Sequence, residues 1–518
     1  MLATVQSSCL YGIDGSPVSV EVHISNGFPG FSVVGLPDAA CREARDRVRA
    51  ALLSSGATWS LKRITVNLAP SGRRKSGAGL DLAIAVGLLI ASEEVPARAA
   101  EGVAFIGELG LDGSIRRVPG TVSLVDAVIP ERVVVSPASL PDALVGGRKE
   151  VIAVATLQEL IDYLRNVKPW PDPERPCVID ALGRSGKAAL GTSSDWSIAD
   201  LSEVKGQRLG RRALEIAAAG GHHLLMVGPP GSGKTMLARR LPGLIPPLGQ
   251  EQAREVARVR SAAGLDLDSA AVAGVAPFRS PHHGASMPAL IGGGSTWMRP
   301  GEISLAHHGV LFLDELAEFG AHVLEALREP VEEGSVRIAR ARQSVQFPAR
   351  FLLVAAMNPC PCGEGSVPGG CRCSPQARLR YARRLSGPLL DRFDLRIALN
   401  RPSTEELMSS PQGESTASVR ERVFRARELA QERAGCLNGR LPDWLLEKVA
   451  PLSHRAASML ARKLDTGTLS ARGMVRVRRV ARTIADLEGC SGHIEQHHVA
   501  EAIEMRAGLG ALAPELAA

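Results

Sequence analysis

The chain has 518 residues, 45% of them hydrophobic, with 61 Lys and Arg against 54 Asp and Glu for a formal net charge of +7. That length exceeds a single hydrophobic core and predicts roughly two to four domains. The opening MLATVQSSCLYG has no basic start, and the most apolar window, LDLAIAVGLLIA, is short and carries Asp81. The sequence therefore predicts neither signal peptide nor membrane span, and nine cysteines, five of them scattered singly, do not form a secreted disulfide framework. The expected compartment is the cytoplasm.

Residues 1–167 read as mixed α/β. FSVVGL and RITVNLAP have strand composition, DAACREARDRVRAALLSSG has an amphipathic helical period, and LDLAIAVGLLIA reads as a buried helix. VAFIGELGLDGSIRRV places β-rich arms around Asp112-Gly113, a hairpin-turn signal. Segments 168–200 and 401–415 are rich in Pro, Gly and Ser and read as linkers. Between them, residues 201–400 alternate apolar strands with helices, and residues 416–518 show helical periodicity. The predicted class is α/β with a C-terminal helical domain.

GPPGSGKT matches the phosphate-binding pattern G-x-x-x-x-G-K-[ST] at Gly228, Pro229, Pro230, Gly231, Ser232, Gly233, Lys234 and Thr235, between apolar HHLLMV and helical MLARRL. The glycines let backbone N–H groups close on phosphates, Lys234 reaches the β and γ oxygens of ATP, and Thr235 ligates Mg²⁺. GVLFLDEL reads as a buried parallel strand opening on two carboxylates. Asp314 is assigned to the Mg²⁺ shell and Glu315 to the attacking water. A third apolar strand, RFLLVAAMN, ends at Asn358, whose amide is suited to touch the γ-phosphate and the water.

Past Asn358, MNPCPCGEGSVPGGCRC offers Cys360, Cys362, Cys371 and Cys373 as paired C-x-C units. Four thiolates suit one tetrahedral Zn²⁺ ion; a disulfide or unliganded thiols are the alternatives. Four His-His doublets read as structural or ATP-site packing rather than metal ligands, because adjacent side chains diverge. From Arg420 to Arg482, fifteen basic residues face six acidic ones. This is either a surface for polyanions or a solvated helix face.

PFRSPHHGASMPALIGGGSTWMRPGEISLAHHGVLFLDEL, AAMNPCPCG and SGPLLDRFDL resemble the ComM/YifB family of magnesium-chelatase-like AAA+ ATPases, a group akin to magnesium chelatase subunits and MCM helicases. The resemblance covers nearly the whole chain. It implies a Lon-protease-like N-terminal domain, a P-loop AAA+ core with hairpin and helix-2 insertions, and a helical lid. It also implies that Arg392 is an arginine finger serving a neighbouring subunit in a homo-hexamer, and that Arg472 is the second sensor. The hairpin EEGSVRIARARQSVQFPARF would present Arg337, Arg340 and Arg342 to DNA, and the Gly-rich insertion would carry Trp297 toward the channel. Aligned to the Ser-Lys protease dyad, Gly79 stands at the Ser position and Val122 near the Lys position, with Lys75 and Ser76 offset. The N-terminal domain is thus expected to be noncatalytic. The implied function is an ATP-driven motor on single-stranded or branched DNA, a branch-migration helicase in recombination and natural transformation, with recombination proteins as candidate partners. The alternative is a chelatase-type subunit driving metal insertion or another protein-remodelling ATPase.

Overall fold

The computed structural model describes residues 2–72, 75, 77–146, 149–174, 199–267, 270, 273–294, 298–340, 343–365, 370–408 and 413–507. Arg342, Trp297, Ser76, most of the first linker and residues 508–518 lie outside the described residues.

The N-terminal part is built on a seven-stranded sheet. In spatial order its strands are Gly30–Val34, Arg63–Ala69, Asp14–Ser25, Leu2–Tyr11, Val103–Phe105, Arg132–Val135 and Glu150–Ala153. The central pair is a long antiparallel hairpin, Leu2–Tyr11 with Asp14–Ser25, and the strands beyond Leu2–Tyr11 run parallel. Helix Ala39–Ser54 starts at Asp38, whose carboxylate accepts the Cys41 N–H at 2.8 Å, and buries Cys41, Ala44, Val48, Ala51 and Leu52 at helical spacing. Helix Asp81–Ala91 is buried at every residue, as its apolar run after Asp81 requires, and Arg47 pairs with the buried Asp81 at 2.6 Å. Gly87 lets it lie on the hairpin, since a Cβ there would meet Val22 Cγ2 at 2.6 Å. The Asp112-Gly113 turn joins two short strands, Glu108–Leu109 and Ile115–Arg116.

The middle part holds a five-stranded, all-parallel sheet. Its order is Phe278–Arg279, Val310–Leu313, Leu352–Met357, Leu224–Val227 and Leu395–Ala398. The registers Val227↔Met357 and Leu313↔Ala355 bring the residues after three strands to one edge of the sheet. In an open parallel sheet that edge is where ligands bind.

The C-terminal helices Thr416–Ala434, His454–Asp465, Ala471–Leu487 and Gln496–Ala507 share a core with the middle sheet: Val423, Val477 and Ile484 join Leu214, Leu224 and Ile397 in one buried cluster. The second linker departs from the irregular segment expected of it, because residues Thr404–Met408 form a short helix. Among the described residues, no helix is long and apolar enough to cross a membrane.

The two α/β parts are locked together. Helix Gln250–Ala262 of the middle part packs on helices Thr121–Ala127 and Leu140–Gly146, with Arg258 to Asp126 at 2.7 Å and Ser261 Oγ donating to Asp142 at 2.8 Å. The hairpin Ser335–Arg340/Gln343–Pro348 is held from both sides: Val345 and Phe347 pack with Met298 and Ile13, and the Tyr11 hydroxyl donates to Ser344 O at 2.7 Å.

Candidate nucleotide site and cysteine cluster

The phosphate loop leaves strand Leu224–Val227 and enters helix Lys234–Leu244. Gly231 and Gly233 sit at φ +79° and +82°, a region closed to most side chains, so the loop can turn its N–H groups inward. At Gly228 a Cβ would stand 2.4 Å from Leu399 O, so only glycine fits. The Lys234 ammonium donates to the carbonyls of Gly228 at 2.7 Å and Pro229 at 3.0 Å and to Asn358 Oδ1 at 3.2 Å. Burial lowers its pKa below that of an ordinary lysine. Thr235 Oγ1 donates to Asp314 Oδ2 at 2.7 Å, which places a hydroxyl and a carboxylate side by side as a hard-cation pair.

Glu315, next along the chain, adopts a left-handed backbone at φ +51° and is more than half exposed. Its Oε2 lies 3.2 Å from Nδ1 of His283. Lys234, Thr235, Asp314, Glu315 and Asn358 thus meet at one edge of the sheet. The donor set fits a nucleoside triphosphate: an ammonium and a glycine-rich loop at a helix N-terminus for phosphate oxygens, and Thr235 with Asp314 for Mg²⁺. When bound, the ion offsets charge on the phosphates.

Arg392 is not brought to this edge. Arg392 precedes strand Leu395–Ala398, whose first residue pairs with Leu224, whereas the phosphate loop follows Val227. The strand's length alone separates them by about 10 Å. Arg392 forms an ion pair with Glu332, and its carbonyl accepts from Arg476 at 3.2 Å. Arg476 also bonds Asp394 at 2.7 Å, and Arg506 donates to Phe393 O at 2.8 Å, so the C-terminal helices grip the Arg392 segment. Arg472 is exposed one turn before Arg476 on helix Ala471–Leu487. Of the hairpin arginines, Arg337 is exposed opposite Gln346, and Arg340 closes its strand.

Three family models tile the chain: "Subunit ChlI of Mg-chelatase" over residues 20–138, "Magnesium chelatase, subunit ChlI" over 200–407 and "Magnesium chelatase, subunit ChlI C-terminal" over 413–506. The chain is 43% identical over 517 residues to the YifB protein of Salmonella typhimurium, covering 98% of this chain and 97% of that one. It is 43% identical over 509 residues to Competence protein ComM of Haemophilus influenzae, with the same 98% and 97% coverage. The chain belongs to the ComM/YifB family of magnesium-chelatase-like proteins. A distant similarity, 25% over 194 residues, reaches the probable DNA helicase MCM9 of Arabidopsis thaliana, covering 37% of this chain and 25% of that one. ComM/YifB membership, through the ChlI-type ATPase region, implies ATP hydrolysis.

In this ComM/YifB chain the four cysteines converge. The Sγ atoms of Cys360, Cys362, Cys371 and Cys373 lie within 4.8 Å of one another. Cys360 to Cys362 is 3.3 Å, Cys362 to Cys371 3.8 Å and Cys371 to Cys360 3.7 Å. A tetrahedral ion with bonds of about 2.3 Å sets neighbouring sulfurs about 3.8 Å apart, whereas a disulfide needs about 2.05 Å. The spacing therefore fits a metal-thiolate centre and not a disulfide. Backbone N–H groups of Glu364 and Arg372 lower the Cys362 thiol to about 6, while burial and then Cys362 raise Cys360 to about 12.

Two other clusters, Glu255 with His307 and His308 and Glu488 with His497 and His498, have their ligand atoms just as close together. Hydrogen bonding opposes a metal there. His307 Nδ1 accepts the Arg350 N–H at 2.9 Å and His498 Nδ1 accepts the Glu495 N–H at 2.9 Å. Each ring then carries its proton on Nε2, facing the carboxylate at 2.9 Å for His307 and 3.0 Å for His498, and no lone pair remains for an ion. His222 bonds Thr483 at 2.7 Å, and His223 accepts the Leu353 N–H at 3.0 Å.

Much of the basic C-terminal segment is consumed internally. Arg422 pairs with Glu215 and Glu414, Arg433 and Arg482 with Asp486, Arg476 with Asp394, Arg478 with Glu447 and Arg479 with Asp443. Six of the fifteen basic residues are thus spent in a packing network, whereas Lys448, Arg455, Arg462, Lys463 and Arg472 are exposed. In the N-terminal part, a Cβ at Gly79 would stand 2.9 Å from Val118 Cγ1, and Val122 is fully buried against Val145 and Ala257. Lys75 is buried with its ammonium on the Pro70 carbonyl.

Three contacts escaped the sequence reading: His283 to Glu315, Glu332 to Arg392, and Arg401, whose Nε donates to Pro230 O of the phosphate loop at 2.9 Å. The HH doublet at 282–283 carried the first signal, as an ATP-site packing element. Glu332 and Arg401 had none, because each is an ordinary charged residue in a polar stretch.

Proposed function

We propose that the protein is a ring-forming, ATP-driven DNA motor: a homo-hexameric branch-migration helicase of recombination and natural transformation, acting in the cytoplasm on single-stranded or branched DNA beside recombination proteins. In this reading residues 201–400 are an AAA+ P-loop core with a helix-2 insertion and a hairpin, residues 416–518 its helical lid, and residues 1–167 a noncatalytic Lon-like scaffold.

One observation carries the reading. The hairpin that exposes Arg337 grows directly from helix Arg328–Glu333, and Glu332 on that helix pairs with Arg392. A strand held by the hairpin is thereby one ion pair from the residue that would complete a neighbour's ATP site. Full-length similarity to a competence protein supports the biological setting. In the cycle, Lys234 and the loop N–H groups hold the triphosphate, Asn358 and Glu315 orient water in line, and Glu315 takes its proton. Arg392 of one subunit stabilises charge on the phosphoryl group in the next. Arg472 joins it from the lid, and Arg337, Arg340 and Arg342 track phosphates along the channel.

A second reading, a chelatase-type ATPase acting through partner subunits, draws on the three family models. ATPase rates with and without single-stranded and four-way DNA discriminate. The motor reading expects DNA to raise turnover and Arg337→Glu to remove the rise; turnover indifferent to both DNAs contradicts it.

A further inference from the structure

The cysteine cluster is the outer wall of the phosphate loop. Gly363 follows Cys362 at φ +82°, its N–H donates to Cys360 O at 3.0 Å, and a Cβ on it would stand 2.7 Å from Cδ of Pro230. The Gly363 backbone therefore rests on the proline ring inside the nucleotide loop. Beside it, Arg401 donates from Nε to Pro230 O at 2.9 Å and pairs through Nη2 with Glu364 Oε1 at 2.6 Å. Pro230 is thus touched from one side by Gly363 and tied on the other through Arg401 to Glu364. Both residues lie in the short turn between Cys362 and Gly365, and a Cβ at Gly365 would meet Cys360 Sγ at 3.0 Å. On the inner side, Cys360 stands two residues from Asn358, whose amide holds Lys234.

We propose that Cys360, Cys362, Cys371 and Cys373 bind a thiolate-preferring divalent ion of the zinc class, and that this ion sets nucleotide affinity by pressing Gly363 and Glu364 against Pro230. The inference rests on the ATP-site reading. Phosphate loops bind by preorganised N–H groups, so slack in the loop is lost affinity. Four sulfurs spanning Cys360 to Cys373 hold the turn only while a shared ion closes them. Without it, among the described residues the 360–365 turn meets the Cys371–Cys373 segment only through thiol contacts and the Arg372 N–H on Cys362. The centre then acts in ATP binding and not in the chemical step.

The test uses full-length protein purified without a polyhistidine tag. Metal content is measured, and affinity for a fluorescent ATP analogue is determined for native, chelator-stripped and zinc-restored protein. The expected result is one zinc per chain and binding about tenfold weaker after stripping, the worth of one to two hydrogen bonds, recovered when zinc returns. Native protein without zinc, or affinity unchanged on stripping, overturns the proposal. Should stripped protein unfold, Arg401→Gln decides, because it keeps all four cysteines: full zinc content with weakened nucleotide binding supports the brace, and full zinc content with wild-type binding overturns it. Lys234→Ala separates the two readings. If it abolishes binding while stripping changes nothing, only the brace fails; if Lys234→Ala binds like wild type, the ATP-site reading fails.

Discussion

Nδ1 of His283 stands 3.2 Å from Oε2 of Glu315, so a ring from the segment after the edge strand Phe278–Arg279 holds the carboxylate that follows strand Val310–Leu313. A half-exposed glutamate on a left-handed backbone has few other restraints. His283→Ala should lower turnover about tenfold while leaving nucleotide affinity within about twofold, because it loosens orientation and not binding. Glu315→Gln should bind ATP with turnover down ~100-fold or more, and Lys234→Ala should lose binding itself. Equilibrium nucleotide binding alongside steady-state ATPase separates the three.

Arg392 precedes strand Leu395–Ala398 at its end far from the phosphate loop, with Arg476 on its carbonyl and Arg506 on the Phe393 carbonyl beside it. In the proposed ring its action is intersubunit. Arg392→Ala should bind nucleotide normally with turnover reduced ~10³-fold. Mixing Arg392→Ala with Lys234→Ala subunits should restore part of the rate, since some interfaces then pair an intact loop with an intact arginine. Rates that stay at the sum of the two parents contradict the placement.

Acid should destabilise the middle sheet through two histidines, His307, which is buried, and His223, which is half-buried. His307, beside Glu255, His308 and Arg350, and His223, beside Asp394, Arg440 and Arg476, are both held down to about 4, chiefly by burial. Each accepts a backbone N–H on Nδ1, from Arg350 and Leu353, and so cannot be protonated there without breaking that bond. As pH falls below about 6.5 the unfolded chain takes up these protons first. The stability they contribute is present above that pH and lost toward pH 4, on the order of 3 kcal/mol for each at most. His307→Asn, whose carbonyl can accept the Arg350 N–H without titrating, should flatten the fall of melting temperature between those limits. An unchanged slope removes His307 from the account.

The N-terminal part should not be convertible to a protease by restoring a dyad. Gly79→Ser must displace Val118, and Val122→Lys would put a charge between Val145 and Ala257 at a cost of about 3 kcal/mol or more. The double variant should melt lower and cleave no peptide substrate. Peptidase activity with unchanged melting contradicts the scaffold reading.

The nucleotide site was legible because its chemistry is local. Eight consecutive residues make the phosphate loop, and each carboxylate or amide ends an apolar run. The parallel sheet then brings Gly228, Asp314 and Asn358 together. The four cysteines were legible for the same reason, spaced as two close pairs. Strands Leu2–Tyr11 and Asp14–Ser25 were not anticipated, because Gln6, Ser7 and Ser8 interrupt the apolar pattern although Ser7 and Ser8 are buried and hydrogen-bonded. The basic C-terminal segment is partly spent inside the fold, which its sequence alone does not show. Its arginines find carboxylates such as Glu215 and Asp394 on distant segments, and only the tertiary packing reveals that pairing. His283, Glu332 and Arg401 were hidden for the same reason.

The central claim is that ATP hydrolysis moves DNA strands. The most direct measurement is branch migration on a synthetic four-way junction, read as strand exchange over time with wild-type protein, Glu315→Gln and Arg337→Glu. The account predicts ATP-dependent conversion of the junction to two duplexes by wild type and none by either variant. A wild-type protein that hydrolyses ATP yet leaves the junction intact would contradict it.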